Sequence, residues 1–262
     1  MQTEKVIAHI VDWLRDYAEN AKCKGFVIGV SGGIDSAVTS TLCAKTGLDL
    51  LCLEMPIHQG KNQVTRADRH IDWLMENFPN VSRQPVDLTP VFDSLVGAFP
   101  KVDDEEERMM SLANTRARLR MTTLYYFAAL KGYLVAGTGN KVEDFGVGFY
   151  TKYGDGGVDL SPIADLVKTE VYELGRVLGV NQDIMEAAPT DGLWGDSRTD
   201  EDQIGASYPE LEWAMDMDDK GKTAADFTGR EKEVFTIFKR YNTANKHKMV
   251  PIPICEIPSN LK

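Results

Sequence analysis

The feature that most limits how this chain can fold is a short glycine loop at residues 31–36, which reads Ser-Gly-Gly-Ile-Asp-Ser. An apolar run at residues 26–30 precedes the loop, and a helical pattern at residues 37–44 follows it. This order of strand, glycine turn and helix start builds an anion site, because glycines let the backbone curl closely and the first helical N–H groups point at the ligand. The hydroxyls of Ser31 and Ser36 add donors. The loop therefore predicts a polyphosphate site.

Asp35 makes this loop unusual, because a carboxylate repels a phosphate unless a cation lies between them. We therefore expect Mg²⁺ and ATP as its ligands. The loop is not a Walker A loop, since no lysine follows the glycines, and it lacks the G-x-G-x-x-G of dinucleotide sites. An ordinary Gly-Gly turn is the alternative interpretation. The pattern S-G-G-x-D-S resembles the pyrophosphatase loop of the N-type ATP pyrophosphatases, in which it holds the pyrophosphate that leaves during adenylation.

Charge and cysteine content argue against several classes of protein. The net charge of −11 argues against a general nucleic-acid binder, which needs a basic field, so we expect no nucleic-acid partner. The four cysteines form no C-x-x-C pair, which argues against a zinc site or a disulfide framework. We see no signal-peptide pattern and no apolar run long enough to cross a bilayer. We therefore expect a cytoplasmic protein without a membrane partner.

Strand and helix patterns alternate along the chain. Apolar runs at residues 50–55 and 133–137 predict further strands, while residues 4–21 and 104–131 have the spacing of amphipathic helices. This alternation predicts an α/β fold, a Rossmann-like, doubly wound parallel sheet with helices on both faces. Ligands of such sheets bind at the carboxyl ends of the strands, which is where the glycine loop falls.

The predicted domain organisation is simple. We expect one domain over residues 1–262, since no composition shift or repeat divides the chain. Residues 190–203 are rich in Asp, Gly and Ser, which is typical of a loop that is mobile without ligand. Residues 250–262 hold three prolines, which favours an extended C-terminal tail.

Further polar motifs lie downstream of the glycine loop. Residues 114–121 place three arginines at alternate positions; on a helix the first and third share a face and the second, Arg118, points elsewhere. Residues 137–144 follow a predicted strand, and residues 151–157 read T-K-Y-G-D-G-G. Lys168 begins a predicted helix, where a lysine opposes the dipole, and this favours a ligand role. The alternative for the arginines is a solvated basic face.

In their order along the chain, these motifs resemble those of the ammonia-dependent NAD synthetases. The shared pattern is N-x-[RK]-A-R-x-R-M, G-T-x-x-x-x-E, F-[FY]-T-K-Y-G-D-G-G-x-D, x-K-x-x-V, A-P-T and a C-terminal H-K, over about residues 27–248. Two departures occur: the D-H-A-A stretch of many members is missing, and one additional residue lies between Glu143 and Lys152. We expect no glutaminase domain before Met1, so the resemblance implies an enzyme that takes free ammonia or ammonia from a separate partner.

The resemblance implies a role for each matching residue. The ATP phosphates are expected at Gly29, Val30, Ser31, Gly32, Gly33, Ile34, Asp35 and Ser36, with further ATP contacts from Thr138, Lys168 and Thr190. Mg²⁺ is expected on Asp35 and Glu143. Deamido-NAD is expected to contact Arg118, Lys152, Asp159, His247 and Lys248, the last two from the same chain or from a two-fold partner.

The implied reaction is the last step of NAD biosynthesis. The nicotinate carboxylate of deamido-NAD attacks the α-phosphorus of ATP, and pyrophosphate leaves. Ammonia then converts the resulting NAD-adenylate, a mixed anhydride, to NAD and AMP. Asp35, Lys168 and Asp159 are the expected catalytic residues, the third as the group that holds the ammonium proton. The family implies a homodimer. Two rivals stay open: another adenylating ligase that acts on a tRNA base or a purine, and a non-catalytic nucleotide sensor.

Overall fold

A four-stranded parallel sheet lies at the centre of the chain, for which a computed structural model describes residues 1–59, 61–188 and 199–262. The strands are β1 (Gly25–Gly29), β2 (Asp49–Glu54), β3 (Val81–Pro85) and β4 (Leu134–Val135), and their spatial order is β3-β2-β1-β4. In the register of the sheet, Phe26 of β1 lies opposite Leu50 on one side and Leu134 on the other.

Helices connect the strands and continue beyond them. The described α-helices are α1 (Thr3–Asn20), α2 (Ile34–Lys45), α3 (Lys61–Asn77), α4 (Thr89–Ala98), α5 (Glu105–Lys131), α6 (Lys168–Leu178), α7 (Gln182–Met185), α8 (Asp200–Ile204), α9 (Tyr208–Asp219) and α10 (Gly229–Met249). A single π-helical turn spans Val142–Val147, and short 3₁₀ turns span Ala224–Asp226 and Ser259–Leu261. Within the described ranges, no helix is both long and apolar enough to cross a membrane.

Both faces of the sheet are covered by helices. On one face, Phe26 and Ile28 of β1 pack in a cluster that includes Leu14 of α1. On the other face, Val27 packs in a cluster that includes Leu112 of α5. Alternate residues of a strand point to opposite faces, so β1 reaches both cores. The doubly wound α/β fold predicted from the sequence is confirmed.

The C-terminal helices form a third apolar cluster with the π-helical turn. Leu211 of α9 and Phe235 of α10 pack in this cluster with Val142 and Val147. This π-helical turn includes Glu143. The cluster therefore anchors the segment that carries Glu143 against the C-terminal helices.

The structure describes only part of the predicted mobile loop, but all of the predicted C-terminal tail. Residues 190–198 lie outside the described residues, whereas residues 200–203, expected as loop, form most of α8. The Thr199 hydroxyl caps this helix by accepting from the Asp202 N–H at 3.1 Å. In the tail, residues 251–262 are exposed and form only the short turn at the end.

One buried histidine gives the fold a pH dependence. His70 of α3 is fully buried, lies 2.9 Å from the Ser40 hydroxyl and stacks on Trp73. Burial lowers the pKa of His70 from 6.5 to about 4. Between these values the unfolded chain binds a proton that the folded chain excludes, so stability falls as the pH drops through that window.

We expect the loss of unfolding free energy due to His70 to be about 2–3 kcal/mol between pH 7 and 4.5. Urea unfolding of the wild type and of His70→Gln at both pH values measures this loss. The change in unfolding free energy between the two pH values is taken for each protein, and subtracting one change from the other removes the contribution of the carboxylates. Equal pH dependence in both proteins would show that His70 does not cause it.

Candidate active site

The glycine loop runs from the end of β1 into the first turn of α2, as predicted. Gly32 has a φ of 79°, a left-handed backbone that favours glycine. The Ser36 hydroxyl donates to the Gly33 carbonyl oxygen at 3.0 Å, and the Ser31 N–H donates to the Ser36 hydroxyl oxygen at 3.2 Å. These bonds brace the loop at the N-terminus of α2, where N–H groups and the helix dipole favour an anion.

A buried lysine joins two carboxylates beside this loop. The Lys168 ammonium, on the first residue of α6, donates to Asp35 Oδ2 at 2.6 Å and to Glu143 Oε1 at 3.0 Å. The Lys168 side chain is 3% exposed, and the two carboxylates are 18% and 17% exposed. Three segments distant in sequence therefore place one positive and two negative charges at the glycine loop.

Two further side chains hold the carboxylates in place. Asn140 is fully buried; its amide donates to Asp35 Oδ1 at 3.1 Å, and its carbonyl oxygen accepts from the Glu143 N–H at 3.2 Å. The Tyr208 hydroxyl donates to Glu143 Oε1 at 2.6 Å, and its ring lies 4.6 Å from the Lys168 ammonium. Neither residue is among the site residues predicted from the sequence. Asn140 could have been found as the last residue of the G-T-G-N turn, whereas Tyr208 has no sequence signal.

The electrostatics of this group follow from burial and from Lys168. Burial raises the pKa of Asp35 against the opposing effect of Lys168. Burial would also raise the pKa of Glu143, but the charge of Lys168 and the hydrogen bond from Tyr208 outweigh burial, so the pKa of that carboxyl is lowered. Burial opposes the charge of Lys168, yet the two carboxylates raise its pKa. The lysine therefore stays charged and neutralises much of the pair.

The carboxylate pair has the donor chemistry for Mg²⁺. Mg²⁺ commonly takes one or two protein carboxylates and fills its other positions with waters and substrate phosphates. Asp35 and Glu143 already converge on a single cation, the Lys168 ammonium. Across the described ranges there is no group of three or more His, Cys, Asp or Glu side chains that could hold a metal. A metal that relies on phosphate oxygens as well as protein fits this arrangement.

A cavity of about 820 Å³ extends from the glycine loop to the 151–157 segment. Its volume is within the range of roughly 300–1,000 Å³ that small-molecule sites occupy. At one end it is lined by Gly29, Val30, Ser31, Gly33, Ile34, Asp35, Ser36, Thr138, Glu143 and Lys168. At the other end it is lined by Tyr150, Thr151, Gly154, Asp155, Tyr241, Asn245 and Lys248. One continuous space can therefore hold a polyphosphate and a second substrate.

Comparison with known proteins identifies the family. The model of the NAD synthase family matches residues 6–251. The chain belongs to this family. The NH(3)-dependent NAD(+) synthetase of Carboxydothermus hydrogenoformans is 38% identical over 235 residues, which cover 87% of this chain and 90% of that protein.

Two solved structures share the fold of this NAD synthase family chain over nearly its whole length. The NMN synthetase from Francisella tularensis has a TM-score of 0.83 at 31% identity and covers 99% of both chains. The NH3-dependent NAD synthetase from Campylobacter jejuni has a TM-score of 0.77 at 26% identity and covers 98% of this chain and 100% of that chain.

In this NAD synthase family chain, four of the residues predicted to hold the acid substrate lie together. The Lys152 ammonium donates to the His247 carbonyl oxygen at 2.8 Å, and Arg118 donates to the Lys152 carbonyl oxygen at 3.4 Å. Lys248 donates to the carbonyl oxygen of Tyr150 at 2.8 Å and lines the cavity, which the other three do not. The C-terminal His-Lys pair thus meets its neighbours within one chain.

The remaining predicted residues are more dispersed. Thr138 lines the cavity, while Thr190 lies outside the described residues. Asp159 does not line the cavity: its Oδ1 accepts from the Tyr125 hydroxyl at 3.0 Å and its Oδ2 accepts from the Val135 N–H at 2.8 Å. Its carboxylate oxygens therefore already brace α5 and β4, and the structure does not bring Asp159 into the group around Lys168.

Two cavity carboxylates were missed. Asp144 packs against Gly139, where an added Cβ would lie 2.2 Å from its Oδ1. Burial, followed by the charge of Glu143, raises the pKa of Asp144 to about 7. Asp155 accepts from the Thr151 N–H at 2.9 Å, and burial raises its pKa. Asp155 stands in the T-K-Y-G-D-G-G motif, which was the available signal, whereas Asp144 follows Glu143 directly and had none of its own.

Proposed function

We propose that this chain catalyses the ATP-dependent amidation of deamido-NAD with ammonia, giving NAD, AMP and pyrophosphate. The observation that carries the proposal is the Asp35–Lys168–Glu143 group at the glycine loop, which opens into a cavity large enough for a second substrate. Relatives named NH(3)-dependent NAD(+) synthetases, which match most of the chain, support it.

The reaction has two bond exchanges. A nicotinate carboxylate oxygen attacks the α-phosphorus of ATP, the bond between the α-phosphorus and the bridging oxygen breaks, and pyrophosphate leaves with the electron pair. The nitrogen of ammonia then attacks the acyl carbon of the adenylate, AMP leaves, and the nitrogen gives up a proton. No side-chain nucleophile is needed, so the protein contributes chiefly positioning and electrostatic stabilisation.

The glycine-loop end of the cavity would hold the leaving pyrophosphate. The N–H groups at the start of α2 and the hydroxyls of Ser31 and Ser36 would face the anion there, and Lys168 would supply positive charge. Asp35 and Glu143 would hold Mg²⁺, which supplies charge neutralisation on the phosphate oxygens when it is bound. Lys168 would then shift its contacts from the carboxylates towards phosphate.

The acid substrate would occupy the other end. Lys152 and Lys248, with the nearby Arg118 and His247, would contact deamido-NAD, and Asp159 would contact it from the edge of β4. Asp159 would also hold the ammonium proton, and for that it would have to release one of its two hydrogen bonds, to the Tyr125 hydroxyl or to the Val135 N–H.

We also propose a cytoplasmic homodimer. Tyr126 and Leu130, at the C-terminal end of α5, are 63% and 62% exposed, and large apolar side chains exposed together favour a protein interface. Sedimentation velocity of the wild type and of Tyr126→Glu tests this: we expect a dimer that the variant weakens, and a monomeric wild type at micromolar concentration would contradict the proposal.

One assay tests the reaction against its rivals. The pure protein is incubated with ATP, Mg²⁺, ammonium and deamido-NAD, and AMP, pyrophosphate and NAD are measured. We expect equimolar NAD and AMP that depend on both deamido-NAD and ammonium. AMP formed only with tRNA or a purine acceptor would support another adenylating ligase, and ATP binding without AMP under any condition would support a nucleotide sensor.

A second candidate substrate is nicotinic acid mononucleotide. The likeness to the NMN synthetase from Francisella tularensis, at a TM-score of 0.83, favours it. Both acids present the same nicotinate carboxylate, so the chemistry at the glycine loop is unchanged. Comparing kcat/KM for the two acids separates the candidates, and a higher value for the mononucleotide would replace deamido-NAD as the proposed substrate.

Lys152→Ala tests the acid-substrate end. Loss of a charged hydrogen-bond donor should raise the KM for deamido-NAD by about tenfold or more, with a much smaller change in the KM for ATP. Steady-state kinetics with each substrate varied in turn measures both values. An unchanged KM for deamido-NAD would remove Lys152 from the binding residues.

A further inference from the structure

One face of α5 forms the wall of the cavity between its two ends. The side chains on this face recur at helical spacing and are Met110, Ala113, Asn114, Ala117, Arg120, Met121 and Leu124. Arg120 is the charged residue among them. Arg118, the arginine that the family resemblance assigns to the substrate, is exposed and does not line the cavity.

Within the described part of the chain, one hydrogen bond holds Arg120 in place. Its Nε donates to the Met55 carbonyl oxygen, just beyond the end of β2, at 3.1 Å. Among the residues that the structure describes, no carboxylate forms an ion pair with it. Arg83, which also lines the cavity, differs because it pairs with three carboxylates, those of Glu54, Asp68 and Asp72.

The charge of Arg120 is poorly compensated within the protein. Burial lowers the pKa of Arg120 to about 10, and the positive charge of Arg116 acts in the same direction. The negative charge of Asp155 raises the pKa of Arg120, but its effect is smaller than those of burial and Arg116. Arg120 is half-buried, and a cation that is partly withdrawn from water without an ion-pair partner is costly unless another group neutralises it. An anionic ligand in the cavity would supply that neutralisation.

The neighbours of Arg120 on α5 place it between the two ends of the cavity. Ala117 lies against Gly154, where an added Cβ would be 2.8 Å from the alanine Cβ. Leu124 lies near Gly29 at the end of β1, where an added Cβ would be 4.0 Å from its Cδ1. One helical turn separates Arg120 from each of these positions, so its guanidinium faces the region where the two substrates meet.

We propose that Arg120 binds an anionic oxygen of a substrate, a phosphate or a carboxylate oxygen, at the junction of the two ends of the cavity. The inference deepens the proposed function and rests on it. The bond to Met55 uses only the Nε of Arg120. The two terminal amino groups of the guanidinium match such oxygens in charge and geometry. The ligand is either the α-phosphate end of ATP or the acid that attacks it.

Arg120→Met and Arg120→Lys, studied by calorimetry, test the inference. Each variant is titrated separately with ATP in the presence of Mg²⁺ and with deamido-NAD, so that the affected ligand identifies the source of the anion. We expect Arg120→Met to weaken at least one of the two by about tenfold or more, and Arg120→Lys to weaken it less. Lys131→Gln, which removes an exposed cation at the end of the same helix, is the matched control.

Thermal unfolding of the ligand-free proteins separates binding from a role in the fold. Because the charge of Arg120 is poorly compensated beside Arg116, we expect the Tm of Arg120→Met to stay within about 3 °C of the wild type or to rise. Unchanged affinity for both ligands would overturn the inference, as would a Tm lowered by more than about 8 °C in both variants, which would mean structural support. A wild type that makes no amide would contradict the proposed function, whatever the variants bind.

Discussion

Asp35→Asn is expected to reduce pyrophosphate release and NAD formation by about a thousandfold or more while leaving the fold intact. The carboxylate is one of two that converge on the Lys168 ammonium, and an amide of the same shape binds Mg²⁺ more weakly. Lys168 keeps its bond to Glu143 in the variant, so the loss of stability should be small. Turnover is measured by AMP and pyrophosphate release, and folding by circular dichroism.

Asp165→Asn is the matched control for this experiment. The Asp165 side chain is 99% exposed and pairs only with Lys141 at 3.2 Å among the described residues. We expect its turnover to equal that of the wild type. If Asp35→Asn kept normal turnover at saturating Mg²⁺, the assignment of Asp35 to the metal and to catalysis would be wrong.

Lys168→Met is expected to cost about 3–5 kcal/mol of unfolding free energy in the absence of metal, besides abolishing activity. The variant leaves Asp35 and Glu143, which are 18% and 17% exposed, close to each other without the Lys168 counter-ion. Added Mg²⁺ should then stabilise the variant more than the wild type, because the metal would replace the missing positive charge. Urea unfolding with and without Mg²⁺ measures both effects.

Lys141→Met provides the comparison with a surface ion pair. Lys141 is 39% exposed and its partner is almost fully exposed, so its loss should change stability by no more than about 1 kcal/mol. If Lys168→Met were as stable as Lys141→Met without metal, the ion pairs in the group around Lys168 would be energetically unimportant. If Mg²⁺ stabilised the variant no more than the wild type, the metal and the lysine would not share a site.

The elements whose residues are neighbours in sequence could be predicted from the sequence. The glycine loop is local: a strand, two glycines and a helix start dictate its shape whatever surrounds them. The doubly wound sheet follows from the alternation of strand and helix patterns, because parallel strands need crossover connections. The order of short motifs was specific enough to identify the family, and the family model and the relatives confirmed it.

The placement of groups from distant segments could not be predicted in the same way. Asp35 and Lys168 are 133 positions apart, and their ion pair exists only because α2 and α6 pack on the same core. Asn140 and Tyr208 complete the group, yet a buried polar side chain has no periodic pattern that would reveal its partner. Asp159 shows the reverse case, since its carboxylate oxygens are taken up by Tyr125 and Val135.

By itself, the sequence determined the anion loop, the parallel sheet and the family to which the chain belongs. Only the tertiary structure decided which side chains face the cavity. Residues two apart on a helix point about 200° apart, so α5 can turn either Arg118 or Arg120 into the wall of this cavity but not both. The sequence indicates that these arginines lie on different faces. The packing of Ala117 on Gly154 decides that the face of Arg120 is the one turned inward.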